Sequence, residues 1–176
     1  MSVLENRVLC LLQAKKRGLT LKADPPGNQN RCFYQCLASH FSLQEEEVFE
    51  LINNYLLCNQ HVDSIENGTV KHQDLLQFFS DADFPSLSEC PSTWEECIIS
   101  LRDQMANHVV IRAAATIFCI NCKIIDWRGR MTVEVPFGSQ GSGNSDVFFA
   151  YTGDHYMLLT DVGCPTELCG QSNITG

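Results

Sequence analysis

Cys32 is the residue whose position most suggests chemistry, because a loop of turn-forming residues leads at this thiol directly into an apolar helical pattern. Gly27, Asn28 and Asn30 tolerate tight and left-handed backbone conformations. Four apolar side chains then recur at helical spacing: Phe33, Cys36, Leu37 and Phe41. The unpaired N–H groups and positive dipole end of a helix start favour thiolate over thiol. We therefore expect a lowered pKa for Cys32 and treat it as a candidate nucleophile.

A histidine in the C-terminal third of the chain is the candidate base. Residues 147–151 and 155–160 predict the two strands of a hairpin, joined by a tight turn. His155 opens the second strand, where its ring can stand at the rim of a sheet. Each residue also has an ordinary interpretation: Cys32 is one of ten cysteines and could be structural, and a histidine at a turn is usually solvated.

The two segments together resemble the ovarian tumour (OTU) family of papain-like cysteine proteases, which cleave ubiquitin from proteins. Residues 29–34, Gln-Asn-Arg-Cys-Phe-Tyr, match the family's nucleophile box at the cysteine and at both aromatic residues, with Pro26 upstream. Residues 147–159 match its late His-Tyr box, and residues 94–126 have the helix-then-strand pattern that lies between the boxes. The resemblance extends over about residues 19–160 in the family's order.

The resemblance implies an α+β, papain-like OTU fold with a small, mostly antiparallel sheet packed between helices. It also implies a deubiquitinase, which hydrolyses the peptide or isopeptide bond after ubiquitin's C-terminal glycine. Cys32 would attack the carbonyl, and His155 would act as general base and then as general acid. The N–H groups of one loop would hold the oxyanion: Gln29, Asn30 and Arg31. Two aromatic residues are candidates for the walls of a narrow substrate channel, with core packing as the alternative: Tyr34 and Tyr156.

The chain departs from the family pattern at the residue that orients the histidine. Many members carry Asn or Asp two residues after the histidine, whereas this chain has Met157, which should share a strand face with His155. We favour Asn30 as the orienting residue because it lies close to the helix start, with Asn28 or Asp24 as alternatives. A cysteine-histidine dyad without an orienting side chain also remains open.

The other elements form a scaffold with helices in the first two-thirds and strands in the last third, which is typical of an α+β arrangement. Helical patterns cover four segments: residues 42–58, 75–79, 92–101 and 108–118. Ser42 with Glu45 and Ser92 with Glu95 predict capping boxes. Residues 108–118 are almost wholly apolar and predict a buried central helix. Residues 128–130 predict a turn into the strand 131–135, and residues 139–145 predict a flexible linker.

Length and composition predict one domain, since 176 residues that are 44% hydrophobic can bury one sizeable core. We place the catalytic core at about residues 19–162, with an N-terminal helix at residues 1–18 and a flexible tail at residues 163–176. The basic residues 15–17 suit a helix C-terminus rather than a signal peptide. No run approaches the roughly 18 apolar residues that span a membrane. We therefore expect no membrane partner. We also expect a monomer.

The ten cysteines are scattered through apolar segments, which favours reduced core thiols in a cytoplasmic protein over a disulfide scaffold. Cys119 and Cys122 have CxxC spacing, and Cys164 and Cys169 could complete a zinc site. The first pair, however, falls where an apolar helix passes into a strand. We expect no metal and no other cofactor, and a cysteine-rich zinc-binding domain is the third-ranked hypothesis.

The formal net charge of −9 argues against a nucleic-acid partner, because phosphate contacts require clustered Lys and Arg. Acidic residues near a protease groove would complement the arginines that precede ubiquitin's last two glycines. The resemblance implies ubiquitin, polyubiquitin chains or a ubiquitin-like modifier as partner, and the net charge is compatible with it. The acidic residues 44–47 are more simply a solvated helix start. The unidentified orienting residue motivates a second hypothesis, a catalytically inactive OTU-like domain that binds ubiquitin.

Overall fold

The computed structural model describes residues 2–162. The α-helices are α1 (Val3–Lys16), α2 (Cys32–Phe41), α3 (Glu45–Cys58), α4 (Trp94–Leu101) and α5 (His108–Phe118). The strands are β1 (Leu19–Ala23), β2 (His61–Glu66), β3 (Thr69–Asp74), β4 (Ile120–Asp126), β5 (Met131–Glu134), β6 (Ser145–Tyr151) and β7 (Tyr156–Asp161). Short 3-10 helices occur at Asn28–Asn30, Leu75–Phe78 and Asp81–Asp83. The predicted flexible tail, residues 163–176, lies outside the described residues.

A five-stranded sheet with the order β1-β7-β6-β4-β5 forms the centre of the molecule. The pair β4–β6 is parallel, and the other three pairs are antiparallel. The strands β2 and β3 form a separate two-stranded hairpin. This arrangement confirms the predicted α+β fold with a mostly antiparallel sheet.

Helices cover both faces of this sheet because the strands alternate apolar residues between two buried clusters. One cluster joins α2, α3, α4 and α5 to one face, and Phe33 of α2 packs there with its ring centroid 5.2 Å from that of Phe149 and 5.5 Å from that of Tyr156. The second cluster joins α1 to the other face through Cys10, Ala14, Ile125, Ala150 and Met157. The packing of α2 on β7 brings the start of α2 to the end of the sheet where β7 begins.

Several local predictions are confirmed, among them the β6–β7 hairpin, the β4–β5 hairpin and the buried helix α5. Both predicted capping boxes are wrong. Ser42 adopts a left-handed conformation (φ 54°) and ends α2, so α3 starts later, after Gln44. Thr93, not Ser92, caps α4, since its side chain accepts a hydrogen bond from the N–H of Glu96. The strands β1, β2 and β3 were not predicted.

Candidate active site

Cys32 is the first residue of α2, and its Sγ atom faces backbone N–H groups from two elements. The N–H of Tyr156, at the start of β7, donates to Sγ across 3.3 Å. The N–H groups of Cys32 and Phe33, in the first turn of α2, also stabilise negative charge on this sulfur. The side chain is 1% exposed, and the Sδ atom of Met105 lies 3.6 Å from Sγ. The thiol is therefore surrounded by hydrogen-bond donors but covered by Met105.

Burial raises the pKa of Cys32 above the usual range of a thiol, because the thiolate loses solvation. The N–H groups of Tyr156, Phe33 and Cys32 lower the pKa, and the carboxylate of Asp154 raises it, but desolvation has the largest effect. The expected lowering of this pKa is therefore wrong for the conformation described. In this conformation burial favours the neutral thiol over the thiolate.

His155 lies directly before β7 with 23% of its side chain exposed, and its ring approaches the loop that precedes Cys32. Gly27 adopts a left-handed conformation (φ 73°) at the point of approach, and its N–H donates to Oε1 of Gln35 across 3.1 Å. A Cβ atom on Gly27 would lie 2.9 Å from Nδ1 of His155 and 3.5 Å from Cβ of Cys32. Gly27 thus lies beside both the candidate base and the candidate nucleophile, and a larger residue at this position would be strained.

Asp24 accepts a hydrogen bond from His155 on the other side of the ring, with 2.8 Å between Oδ1 and Nε2. Asp24 follows β1, which pairs with β7 through an irregularity in register between Leu21 and Ala23. Burial raises the pKa of Asp24, but hydrogen bonds from Arg7 and His155 lower the pKa by more than burial raises it. The pKa of Asp24 is therefore below its ordinary value. An ionised carboxylate only accepts, so Nε2 carries the proton and Nδ1 of a neutral ring is free to accept one.

The structure places Asp24, not Asn30, beside the histidine. The Nδ2 atom of Asn30 donates to the carbonyl oxygen of Asp103 across 3.0 Å, on the side of the loop between α4 and α5. Asn28 begins the 3-10 turn, and its carbonyl accepts a hydrogen bond from the N–H of Arg31. Sequence proximity to Cys32 favours the asparagines, whereas the observed neighbour, Asp24, directly follows the unpredicted strand β1.

Met157 occupies the position where many OTU members carry the orienting residue. Its side chain is fully buried on the face of the sheet that α1 covers. Its Sδ atom lies 3.6 Å from Nη1 of Arg7. The apolar side chain at this position therefore packs behind the site, and Asp24 makes the polar contact with the imidazole.

The predicted oxyanion loop is a 3-10 turn in which both Gln29 (φ 59°) and Asn30 (φ 60°) are left-handed. The N–H of Arg31 donates to the carbonyl oxygen of Asn28 across 3.2 Å, so this donor is already used. The candidate oxyanion donors are consequently the N–H groups of Gln29, Asn30 and Cys32. The left-handed conformation of two non-glycine residues is strained, which is common at active sites.

Arg31 fixes this loop to α3. Its Nη1 atom lies 2.8 Å from Oε2 of Glu46, and its guanidinium stacks 3.5 Å above the ring of Phe49. Arg102 contacts the same ring and pairs with Glu50, with 2.6 Å between Nη2 and Oε1. The acidic start of α3 is therefore not only a solvated helix start, because Glu46 anchors the residue next to Cys32.

Tyr34 and Tyr156 differ in their relation to the site. Tyr34 is 2% exposed and packs edge-on against Phe49 in the core, so it forms no channel wall. Tyr156 is also largely buried, but it lines a cleft of about 380 Å³ together with Met105 and Asp83. Its hydroxyl donates to the carbonyl oxygen of Ala106 across 3.2 Å. Of these two tyrosines, only Tyr156 lines a cleft that a substrate could enter.

A second cleft of about 490 Å³ lies on the histidine side. Its lining includes four residues of the candidate site: Arg7, Asp24, Gly27 and His155. Each cleft includes a residue next to Cys32, because Met105 borders the first and Gly27 borders the second.

The CxxC pair does not form part of a metal site within the described chain. Cys119 is an exposed, left-handed residue that ends α5, and Cys122 is buried in β4. Residues 2–162 contain no group of three or more potential metal ligands. The other two cysteines of the hypothesised site, Cys164 and Cys169, lie outside the described residues.

Across residues 2–162, no helix is long and apolar enough to cross a lipid bilayer.

The cover over the thiol yields a first prediction: Met105→Ala should raise the rate at which iodoacetamide alkylates Cys32 at neutral pH by roughly tenfold. Removing the thioether admits water, which reduces the desolvation that raises the pKa of Cys32. Site-resolved peptide mass spectrometry measures the rate. Met131→Ala is the matched control, because Met131 lies on the distant strand β5. An unchanged rate in Met105→Ala would contradict the assignment of Met105 as the cover.

Comparison with known proteins supports the fold. No protein-family model matches the chain, and no curated protein is detectably similar to it in sequence. Among solved structures, the chain is similar to one described as the structure of the OTUD1 OTU domain, with a TM-score of 0.56 and 12% sequence identity. The similarity covers 90% of this chain and 97% of that one. The protein therefore has an OTU-like fold, and at this identity the likeness extends to the fold alone.

Proposed function

We propose that the protein is an OTU-like deubiquitinase, a thiol protease that hydrolyses the peptide or isopeptide bond after the C-terminal glycine of ubiquitin. The observation that carries the proposal is that Nδ1 of His155 and Cβ of Cys32 both lie beside Gly27, while Nε2 of the same imidazole contacts the Asp24 carboxylate. The OTU-like fold supports a cysteine protease at a coarse level. The geometry adds the residues that would perform the reaction.

In the proposed mechanism, Nδ1 of His155 accepts the proton of the Cys32 thiol as Sγ attacks the carbonyl carbon of ubiquitin's terminal glycine. The N–H groups at Gln29, Asn30 and Cys32 stabilise the oxyanion that forms. His155 then gives its proton to the leaving amine, which leaves a thioester on Cys32. Water, activated by His155, hydrolyses this thioester. Asp24 holds the ring and its tautomer throughout.

The proposal includes a movement of Met105, because the substrate carbonyl must reach a thiol that is covered in the free protein. Aspartates line both clefts, Asp83 in the first and Asp24 and Asp154 in the second, and they suit a basic substrate tail such as the arginine-containing end of ubiquitin. The described cysteines are all free, which suits the reducing cytoplasm that we propose as its location.

The contact of Met105 with the Cys32 thiol also supports a second candidate function, a domain that binds ubiquitin without cleaving it. Burial keeps Cys32 as a neutral thiol, and a protein in which Met105 never moves would have no accessible nucleophile. The two functions differ in one observable property. Only the protease forms a covalent bond between Cys32 and an electrophile at ubiquitin's C-terminus.

The test that separates the two functions is incubation with ubiquitin that carries a C-terminal electrophile, followed by intact mass measurement. We expect one adduct on the wild-type chain, none on Cys32→Ala, and an adduct on Cys36→Ala. Cys36 is a matched control, because it lies on the same helix with a pKa raised by burial. Chelators should have no effect on turnover. Adducts that persist without Cys32 would overturn the nucleophile assignment, whereas binding without any adduct would favour the inactive domain.

The orienting residue gives a third prediction. Asp24→Ala should lower turnover of a fluorogenic ubiquitin substrate by about tenfold to 10⁴-fold, because the imidazole loses the partner that fixes its tautomer. Asn30→Ala should lower turnover only a few-fold, because its side chain bonds to the carbonyl oxygen of Asp103. Both variants should fold, which circular dichroism checks. A larger loss in Asn30→Ala than in Asp24→Ala would return the role to the asparagine.

The close approach at Gly27 gives a fourth prediction. Gly27 (φ 73°) and Gly18 (φ 75°) have nearly the same left-handed backbone, so alanine at either position carries the same strain, about 1 kcal/mol. Only the new Cβ at position 27 would press on His155, since nothing lies within 4 Å of one at position 18. We expect Gly27→Ala to lower kcat/KM by at least about tenfold, and Gly18→Ala to retain most activity. Equal losses would show that strain alone matters.

A further inference from the structure

Arg7 of helix α1 makes the second polar contact of the Asp24 carboxylate. Its Nη1 atom donates to Oδ2, while Oδ1 faces Nε2 of His155. The same Nη1 atom lies 3.6 Å from the Sδ atom of Met157, so the guanidinium fills the space between the carboxylate and the sheet. Arg7, Asp24 and His155 therefore form one continuous chain of hydrogen bonds.

Helix α1 is fixed to the same corner of the molecule by two other contacts. The Nδ2 atom of Asn6 donates to the carbonyl oxygen of Thr152, in the turn that leads to His155, across 2.9 Å. The Sγ atom of Cys10 lies 3.1 Å from the carbonyl oxygen of Tyr151, where β6 ends. One face of α1 thus contacts both the turn before the histidine and the carboxylate behind it.

We propose that Arg7 is a positioning residue for the Asp24–His155 pair, and that α1 is thereby a part of the active site. The inference rests on the proposed function and deepens it. A carboxylate held at one oxygen alone can rotate about its Cβ–Cγ bond. A second bond at the other oxygen fixes its plane, and a charge-assisted bond from a guanidinium is strong enough to do so.

The positive charge of Arg7 also supports the positioning role, because it favours the ionised form of the Asp24 carboxyl. The charged or titratable groups that face Asp24 are Arg7 and His155. Asp154 lines the same cleft, and its carboxylate accepts a hydrogen bond from the hydroxyl of Thr152 across 2.8 Å. Against burial, which raises the pKa of Asp24, Arg7 lowers it by a hydrogen bond and by its charge. Without Arg7 the pKa of Asp24 rises, so the carboxyl becomes protonated at a higher pH. A protonated carboxyl no longer selects the tautomer that leaves Nδ1 free.

The test compares Arg7→Met with Lys16→Met, which removes the same charge from an exposed position of the same helix. We expect Arg7→Met to lower kcat/KM on the ubiquitin substrate by about tenfold to a hundredfold. The loss should increase as the pH falls, so the acidic limb of the pH profile moves towards neutral pH. Arg7→Lys should restore most of the activity, and Lys16→Met should match the wild type.

A double-mutant cycle isolates the proposed link. In an Asp24→Asn background, Arg7→Met should have almost no further effect, because the carboxylate that it positions is already gone. Arg7 also lines the histidine-side cleft, so a direct role in substrate binding is the competing explanation. That role would raise KM, leave the pH profile in place and persist in the Asp24→Asn background. Either result, additive losses or an unshifted profile, would overturn the positioning role.

A measurement that needs no turnover distinguishes failure of this inference from failure of the proposed function. Carbon-detected NMR titration of the Asp24 carboxyl in the free protein should give a higher pKa in Arg7→Met and an unchanged pKa in Lys16→Met. An unchanged pKa in Arg7→Met would refute the inference even in an active enzyme. If the wild type neither turns over substrate nor reacts with the ubiquitin electrophile, the proposed function fails, and with it the catalytic meaning of the Arg7–Asp24 contact.

Discussion

The antiparallel pairing of β1 with β7 is the constraint on which the site depends. It joins the residue before Asp24 to the strand that His155 opens, although the two side chains are 131 positions apart. The register irregularity near Ala23 is typical of a bulge, which bends a strand and re-aims its side chains near active sites. The remaining parts attach to this pair of strands, α2 from one face and α1 from the other.

The sequence predicts the site residues that stand in a recognisable local pattern, and it does not predict those whose neighbours depend on long-range strand pairing. Cys32 and His155 stand in short patterns of turn residues and aromatic residues, and both lie where those patterns indicated. Asp24 acquires its neighbour only through a strand pairing far along the chain. The strand β1 alternates apolar and polar residues, but it is only five residues long and its partner cannot be inferred from that alternation. Asn30 was favoured because it is close in sequence. Its left-handed backbone turns its side chain towards the loop that carries Asp103 instead.

The chemistry of the thiol shows a similar limit. A helix start was recognisable, and the N–H groups at Cys32 and Phe33 do stabilise negative charge on the sulfur. Burial outweighs them, and one of the side chains that contact the sulfur, Met105, lies 73 positions away in a segment without a regular pattern. The free protein therefore has N–H donors in place around a candidate nucleophile that is 1% exposed.

The packing of α1 on the sheet also affects where the chain can be truncated. A boundary drawn at the start of β1, where the resemblance to OTU proteins begins, would keep Cys32 and His155 in their local sequence context. It would also uncover the second buried cluster, in which Ile125, Ala150 and Met157 pack under α1. That surface would become a contiguous apolar patch on a sheet, which promotes self-association. A fragment without α1 would thus tend to aggregate because the apolar face of its sheet is uncovered, even if the fold around Cys32 and His155 were intact.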